Sequence, residues 1–211
     1  ITLTAASDVD NVNDAPTVAS AISDVGTAED AAYSLDASGT CTDVDGDSLS
    51  YTISGGPSTI TATTAGVISG TPVNANVGAH TIIVTATDAG GSNTVSDTYV
   101  LTVTNVNDAP TVDAGISNMA VNEDAALSTA FAADAFADVD SGDSCTYTAA
   151  QTDGSALSGW ITFTAGSRTF SGTPLNANVG TESVRVTCTD GSNAAVTDDF
   201  DIVVSNTNDA P

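Results

Sequence analysis

The stretch Asn105-Val106-Asn107-Asp108-Ala109-Pro110 occurs three times in this sequence with little change. Its copies occupy residues 11–16 and 206–211, so that 94 residues separate Asp14 from Asp108 and 101 separate Asp108 from Asp209. Copies two and three follow runs rich in β-branched residues, and proline, which has no N–H group and a fixed φ, stops a strand from continuing. The repeat therefore predicts a linker between two domains of similar size.

This repeat predicts three parts of the chain. Residues 1–14 are read as the orphan last strand of a preceding repeat plus a linker, residues 15–108 as the first repeat, and residues 109–211 as the second repeat with its exit linker. Each unit contains short β-patterned runs separated by turn residues, which is typical of an all-β sandwich of about seven strands. In the first repeat we predict strands at residues 17–22, 31–35, 48–54, 58–63, 67–69, 80–87 and 94–104.

The charge of the chain restricts its partners. There are 27 acidic residues and two basic ones, and the formal net charge is −25. Nucleic acid and anionic membrane surfaces are excluded as partners, because the chain offers almost no cationic groups to bind phosphate. No apolar run of about 20 residues is present, so no membrane-spanning helix is predicted.

Acidic residues recur at matched places in the two units. Glu29 returns as Glu123, Asp88 returns as Asp190, and the Asp43-Val44-Asp45 stretch returns in the second unit as Asp138-Val139-Asp140. These residues fall where the loops of a sandwich converge, and calcium takes 6–8 oxygen ligands from such groups. Asp-x-Asp-Gly sequences also form good turns without a metal, which is the alternative reading.

Calcium would be held mainly at the linker between the two repeats. The predicted ligands of this central junction are Glu29, Asn105, Asn107, Asp108, Asp138, Asp140 and Asp190. An N-terminal half-site would contain Asn11, Asn13, Asp14, Asp43, Asp45 and Asp88. A C-terminal half-site would contain Glu123, Asn206, Asn208 and Asp209. Without cations, the carboxylates of the central junction would repel one another.

These motifs resemble those of tandem cadherin-like repeats, especially the dystroglycan-type cadherin-like and immunoglobulin-like repeats of large bacterial surface proteins. The likeness rests on the 105–110 linker, on Asp138-Val139-Asp140, on Val84-Thr85-Ala86-Thr87-Asp88 and on residues 160–174. It implies Greek-key sandwiches with calcium at the junctions. The sequence departs from cadherins in carrying Asn105 where they usually have aspartate, and Asn74-Ala75-Asn76 replaces a loop that donates a glutamate.

The three cysteines have different expected roles. Cys145 and Cys188 both stand in phase with core positions, and the sequence leaves open a disulfide or two buried thiols. Cys41 aligns with Phe136 and has no partner in its own unit, so we expect a buried free thiol.

The predicted function is a structural one. We expect a calcium-rigidified repeat of a long extracellular surface or filament protein, an adhesin, whose partners are the neighbouring repeats. One alternative is a carbohydrate-binding module that uses Trp160 and the acidic loops. The other is a self-assembling filament subunit that donates residues 1–7 to the sheet edge of an identical chain. An enzyme is not expected, because no nucleophile and base recur together and His80 aligns with Glu182.

Overall fold

A computed structural model describes residues 12–90 and 93–208. The chain divides into two compact units, Ile1–Val106 and Asn107–Pro211. The predicted boundary after Asp108 lies two residues beyond this division, and Asn107 and Asp108 both hydrogen-bond to acidic residues of the second unit. Asn11, Asp209 and the predicted donated strand lie outside the described residues. Within the described part of the chain, no helix is long and apolar enough to span a membrane.

Over residues 12–90 and 93–106, the first unit contains nine strand segments and one short 3-10 turn, Asn74–Asn76. The segments are β1 (Thr17–Val18), β2 (Val25–Ala28), β3 (Tyr33–Asp36), β4 (Cys41–Thr42), β5 (Leu49–Gly55), β6 (Ile60–Ala62), β7 (Val67–Gly70), β8 (Gly78–Asp88) and β9 (Thr94–Thr104). A four-stranded sheet has the order β2-β9-β8-β5, a three-stranded sheet has the order β3-β7-β6, and β1 pairs with β4.

The second unit repeats this plan. Its segments are β10 (Thr111–Val112), β11 (Met119–Asn122), β12 (Leu127–Ala130), β13 (Phe136–Ala137), β14 (Thr146–Gln151), β15 (Ile161–Thr164), β16 (Thr169–Gly172), β17 (Gly180–Thr189) and β18 (Ala195–Ser205), with 3-10 turns at Ala165–Ser167 and Asn176–Asn178. The sheets are β11-β18-β17-β14 and β12-β16-β15, and β10 pairs with β13. The predicted all-β architecture is confirmed.

The two cores follow the alternation of the long strands. In β9, Tyr99, Leu101 and Val103 are buried, whereas Thr102 and Thr104 between and after them are exposed. The same alternation places Phe200, Ile202 and Val204 of β18 in the second core. Every second residue is buried because successive side chains of a strand point to opposite faces of the sheet, and only one face is covered by the core.

The start of the first unit departs from the predicted strands. Residues 17–22 were predicted as one strand, but only Thr17–Val18 pairs, and the unpredicted β2 then runs parallel to the end of β9. At the break, the Ile22 N–H donates to Asp97 Oδ2 over 2.6 Å. In the second unit, Ile116 N–H donates to Asp198 Oδ2 in the same way. A carboxylate on the last strand thus holds the chain where it crosses between sheets.

We expect Asp198→Ala to lower the free energy of unfolding of the second unit by about 1–3 kcal/mol, because it leaves the Ile116 N–H without its acceptor. Urea unfolding followed by Trp160 fluorescence would measure this, since the chain's single tryptophan lies in the second unit. Asp199→Ala is the control, because Asp199 forms an exposed ion pair with Arg185. Equal losses in both variants would contradict a role for the Asp198 carboxylate at the strand break.

Cys145 and Cys188 are joined by a disulfide, with their Cα atoms 5.1 Å apart. The bond links the residue before β14 to the neighbouring strand β17, where Cys188 pairs with Tyr147. Cys41 is a buried free thiol in the first unit. The covalent link therefore stabilises only the second unit.

Candidate calcium-binding ends of the two units

The paired-aspartate loop of the second unit is held by its own backbone. Asp138 Oδ1 accepts the Asp140 N–H over 2.9 Å, and Asp140 Oδ2 accepts the Asp108 N–H over 2.8 Å. Asp138 Oδ2 is buried and has no hydrogen-bond partner. Hydrogen bonds thus connect the linker residue Asp108 to the loop that contains this buried carboxylate oxygen.

Asp190 lies beside this loop, just after β17 ends at Thr189. Asn107 Nδ2 donates to Asp190 Oδ2 over 2.9 Å, and Asp190 Oδ1 accepts the N–H groups of Ser192 and Ala194, each over 2.8 Å. The Asn107 amide holds the pKa of the Asp190 carboxyl below its ordinary value. Asp190 is therefore a buried, ionised group at the entry end of this unit.

Asp143 belongs to the same cluster but was not predicted as a ligand. One carboxylate oxygen from each of Asp138, Asp140 and Asp143 lies within 4.8 Å of the others. Loss of solvent raises the pKa of the Asp143 carboxyl, and the negative charges of Asp138 and Asp140 raise it further. The signal in the sequence was a third acid in each loop, since Asp47 follows Asp45 in the first unit.

The entry end of the first unit has the same arrangement. Asn13 Nδ2 donates to Asp88 Oδ2 over 2.9 Å, and the Asp14 N–H donates to Asp45 Oδ2 over 2.7 Å. The Asp45 N–H donates to Asp43 Oδ1 over 2.8 Å, and Asp43 Oδ2 is buried without a hydrogen-bond partner. Five of the six residues predicted for the N-terminal half-site are thus linked by hydrogen bonds, and the sixth, Asn11, is outside the described residues.

The exit end of each unit holds a buried glutamate. Glu29 is 1 % exposed, its Oε1 accepts the Val106 N–H over 2.8 Å, and its Oε2 is buried without a hydrogen-bond partner. Glu123 is 2 % exposed, its Oε1 accepts the Thr207 N–H over 2.7 Å, and its Oε2 is again without a partner. Each glutamate therefore fixes the linker that leaves its unit and retains one unpaired anionic oxygen.

Several predicted ligands have a weaker structural basis. Asn105, Asn206 and Asn208 are exposed at the exit ends. Asn76 and Asn178 were not among the predicted ligands. Asn76 Oδ1 accepts the Val73 N–H and Asn178 Oδ1 accepts the Leu175 N–H, so these amide oxygens cap the Asn-Ala-Asn turns. The seven residues of the predicted central junction are divided between the units: Glu29 and Asn105 lie in the first, and Asn107, Asp108, Asp138, Asp140 and Asp190 lie in the second.

A family model described as "Putative Ig domain" (He_PIG) matches residues 15–104 and 109–205. No curated protein matches the sequence. The two matched segments coincide with the two units and cover most of the chain.

Solved structures with a similar fold include cadherin ectodomains. Protocadherin gamma B7 extracellular cadherin domains 1–4 align with a TM-score of 0.58 and 20 % identity, covering 94 % of this chain and 53 % of that one. Mouse cadherin-23 EC22–24 aligns at 0.57 and 21 %, covering 94 % and 68 %. Drosophila N-cadherin EC1–4 aligns at 0.54 and 19 %, covering 92 % and 50 %. At these identities the likeness shows the fold alone, and this chain spans about half of the protocadherin and N-cadherin chains. The chain belongs to the Putative Ig domain family and consists of two tandem immunoglobulin-like, cadherin-like β-sandwich repeats.

Proposed function

We propose that this chain is a calcium-rigidified structural repeat of a long extracellular surface or filament protein, an adhesin of a bacterial surface. The strongest support is a feature that occurs at matched positions in both units. Glu29 and Asp43 in the first unit, and their counterparts Glu123 and Asp138 in the second, each bury a carboxylate oxygen that has no hydrogen-bond partner. Burying an anionic oxygen without a partner costs several kcal/mol, so the same cost at matched positions points to a cation.

The donor chemistry of these ends favours calcium over other metals. The groups available are carboxylates, amide oxygens and backbone carbonyls, and calcium is a hard ion that prefers oxygen ligands in flexible arrangements. Zinc favours cysteine sulfur and histidine nitrogen, and the one histidine, His80, places its Nε2 2.6 Å from the Asn76 carbonyl oxygen. A net charge of −25 adds a general attraction for cations.

Calcium bound at these acids would act on the linker. Val106 is tied to Glu29 in the first unit, and Asn107 and Asp108 are tied to Asp190 and Asp140 in the second. Calcium bound by Glu29 would hold Val106 in the first unit, and calcium bound by Asp138 and Asp140 would hold Asp108 in the second unit. The proposed role is mechanical and not catalytic: a chain of such repeats becomes stiff in calcium, with neighbouring repeats as its partners.

A calcium titration tests this proposal. If the affinity falls in the range of extracellular modules, about 10⁻⁴–10⁻³ M, then 10 mM calcium should stabilise the folded chain by about 1.4–2.7 kcal/mol for each independent site. We expect EDTA to lower the melting temperature and calcium, but not magnesium at equal ionic strength, to restore it. X-ray scattering should show a smaller maximum dimension in EDTA. Identical melting and scattering curves in calcium and EDTA would rule the proposal out.

The self-assembly alternative stays a prediction, because the strand it needs, residues 1–7, lies outside the described residues. Deleting those residues and measuring the oligomeric state would test it.

A further inference from the structure

The second unit has a polar cavity beside its tryptophan. The cavity has a volume of about 350 Å³ and lies between the connection from β14 to β15 and the start of β17. Its lining includes Trp160 and Glu182, with Gln151, Asn178 and Thr181 around them. This volume is at the lower end of the range for small-molecule sites, about 300–1,000 Å³.

Trp160 is fixed in place at this cavity. Its Nε1 donates to Glu182 Oε2 over 3.2 Å, and Glu182 Oε1 accepts the Ser158 N–H over 3.0 Å. The indole is half-buried and packs against the core of the unit, so it is not an exposed ring on a free loop. The bond from Nε1 holds the ring at its edge, and the Ser158 N–H in turn holds Glu182. A rigid aromatic side chain loses little entropy when a ligand binds.

The carboxylates at this cavity accept hydrogen bonds from neighbouring groups. Both oxygens of Glu182 accept hydrogen bonds, and Asp153 Oδ1 accepts the N–H and the hydroxyl of Ser155 over 2.8 and 2.7 Å. None of the described lining residues is lysine, arginine or histidine. An anionic ligand would find no counter-charge here.

The remaining lining groups are amides and hydroxyls. The amide oxygen of Asn178 caps a turn by accepting the Leu175 N–H. Its amide nitrogen can therefore donate two hydrogen bonds to a ligand. Gln151 Nε2 donates to the Ala156 carbonyl and to Ser158 Oγ, so this residue offers its amide oxygen as an acceptor. The Thr181 hydroxyl adds a further polar group. Neutral donors and acceptors beside one aromatic ring fit a ligand with hydroxyl groups around its edge and an apolar C–H face.

The first unit provides an internal comparison. There the connection from β5 to β6 spans residues 56–59, whereas in the second unit the corresponding connection spans residues 152–160. The longer connection brings in Trp160, and His80 replaces Glu182 at the aligned position of the first unit. The cavity is thus an addition to one repeat and not a requirement of the shared fold.

We propose that this cavity of the second unit binds a neutral carbohydrate, with Trp160 as the stacking surface and Gln151, Asn178 and Thr181 among its polar contacts. The proposal is independent of calcium binding at the ends of the units. A sugar ring would pack its C–H face on the indole and direct its hydroxyl groups to the amides. The chain would then bind a glycan through its second unit.

The test titrates the full chain with cellotetraose, maltotetraose and mannotetraose, and with tetragalacturonate as the anionic comparator, in calcium and in EDTA. Fluorescence reports the cavity directly, because Trp160 is the chain's single tryptophan. We expect a saturable change with at least one neutral sugar at about 1 mM or tighter. Binding should weaken by about tenfold or more in Thr181→Arg, which fills the cavity from an exposed strand position and leaves Trp160 in place.

Ala79→Arg is the matched control, since Ala79 is exposed at the aligned position of the first unit and should leave binding unchanged. Trp160→Phe, followed by isothermal titration calorimetry, keeps an aromatic ring in the core and should weaken binding less than Thr181→Arg. The proposal is overturned if no neutral sugar binds at about 10 mM, if Thr181→Arg binds as well as the original chain, or if only tetragalacturonate binds.

Discussion

Removing the Cys145–Cys188 disulfide should destabilise the second unit by about 4 kcal/mol. The two cysteines are 43 residues apart, and a cross-link of that span removes loop-closure entropy worth about this much from the unfolded chain. The measurement is a urea titration of the double variant Cys145→Ala/Cys188→Ala, in which Trp160 fluorescence follows the unfolding of the second unit. A loss this large is a substantial fraction of the stability of a domain of this size.

The first unit supplies the control for this experiment. Its only cysteine is the buried free thiol Cys41, so its unfolding, followed by circular dichroism after the second unit has melted, should not change. Dithiothreitol should shift the Trp160 transition of the original chain to that of the double variant. If a thiol assay shows full reduction and the Trp160 transition does not move, the disulfide contributes nothing measurable.

Glu29→Gln should change stability in opposite directions with and without calcium. In EDTA the variant should be more stable by about 1 kcal/mol, because it removes a buried charge whose Oε2 has no partner while the amide oxygen still accepts the Val106 N–H. In 10 mM calcium it should be less stable than the original chain, because loss of the charged ligand should remove most of the about 1.4–2.7 kcal/mol of binding stabilisation, which exceeds the about 1 kcal/mol gained in EDTA.

Asp24→Asn is the matched charge-removal control. Asp24 Oδ1 accepts the Val100 N–H over 2.7 Å, and at the aligned position of the second unit Asn118 Oδ1 accepts the Asp201 N–H over 2.9 Å. An asparagine therefore satisfies this position, and calcium should stabilise Asp24→Asn as much as the original chain. A Glu29→Gln variant that is destabilised equally in both buffers would show that Glu29 is only a structural acceptor for the linker.

Much of the fold could be predicted because its signals are local. The strand β9 coincides with the predicted residues 94–104, and β5, β7 and β8 lie within a few residues of their predictions. Alternating burial depends only on neighbouring residues, so it can be read from one strand at a time. The recurrence of acidic residues at matched positions of the two units could also be predicted, because one repeat can be aligned with the other.

The strand β2 could not be predicted in the same way. Whether Val25–Ala28 forms a strand depends on a parallel partner, Leu101–Thr104, that lies more than 70 residues further along the chain. The break before it depends on the Asp97 carboxylate reaching the Ile22 N–H. Both are long-range contacts, and the glycine and short apolar pattern of this segment give no local sign of them.

By itself, the sequence determined the two-unit repeat, the sandwich class and the recurrence of acids at the ends of each unit, because each follows from periodicity or from comparing one unit with the other. The tertiary structure decided which oxygens within a unit are hydrogen-bonded and which are buried without a partner, as Glu29 Oε2 and Asp138 Oδ2 are. It also decided the bond between Cys145 and Cys188 and the cavity beside Trp160. These features depend on distances between residues far apart in the chain, and residue type alone does not fix such distances.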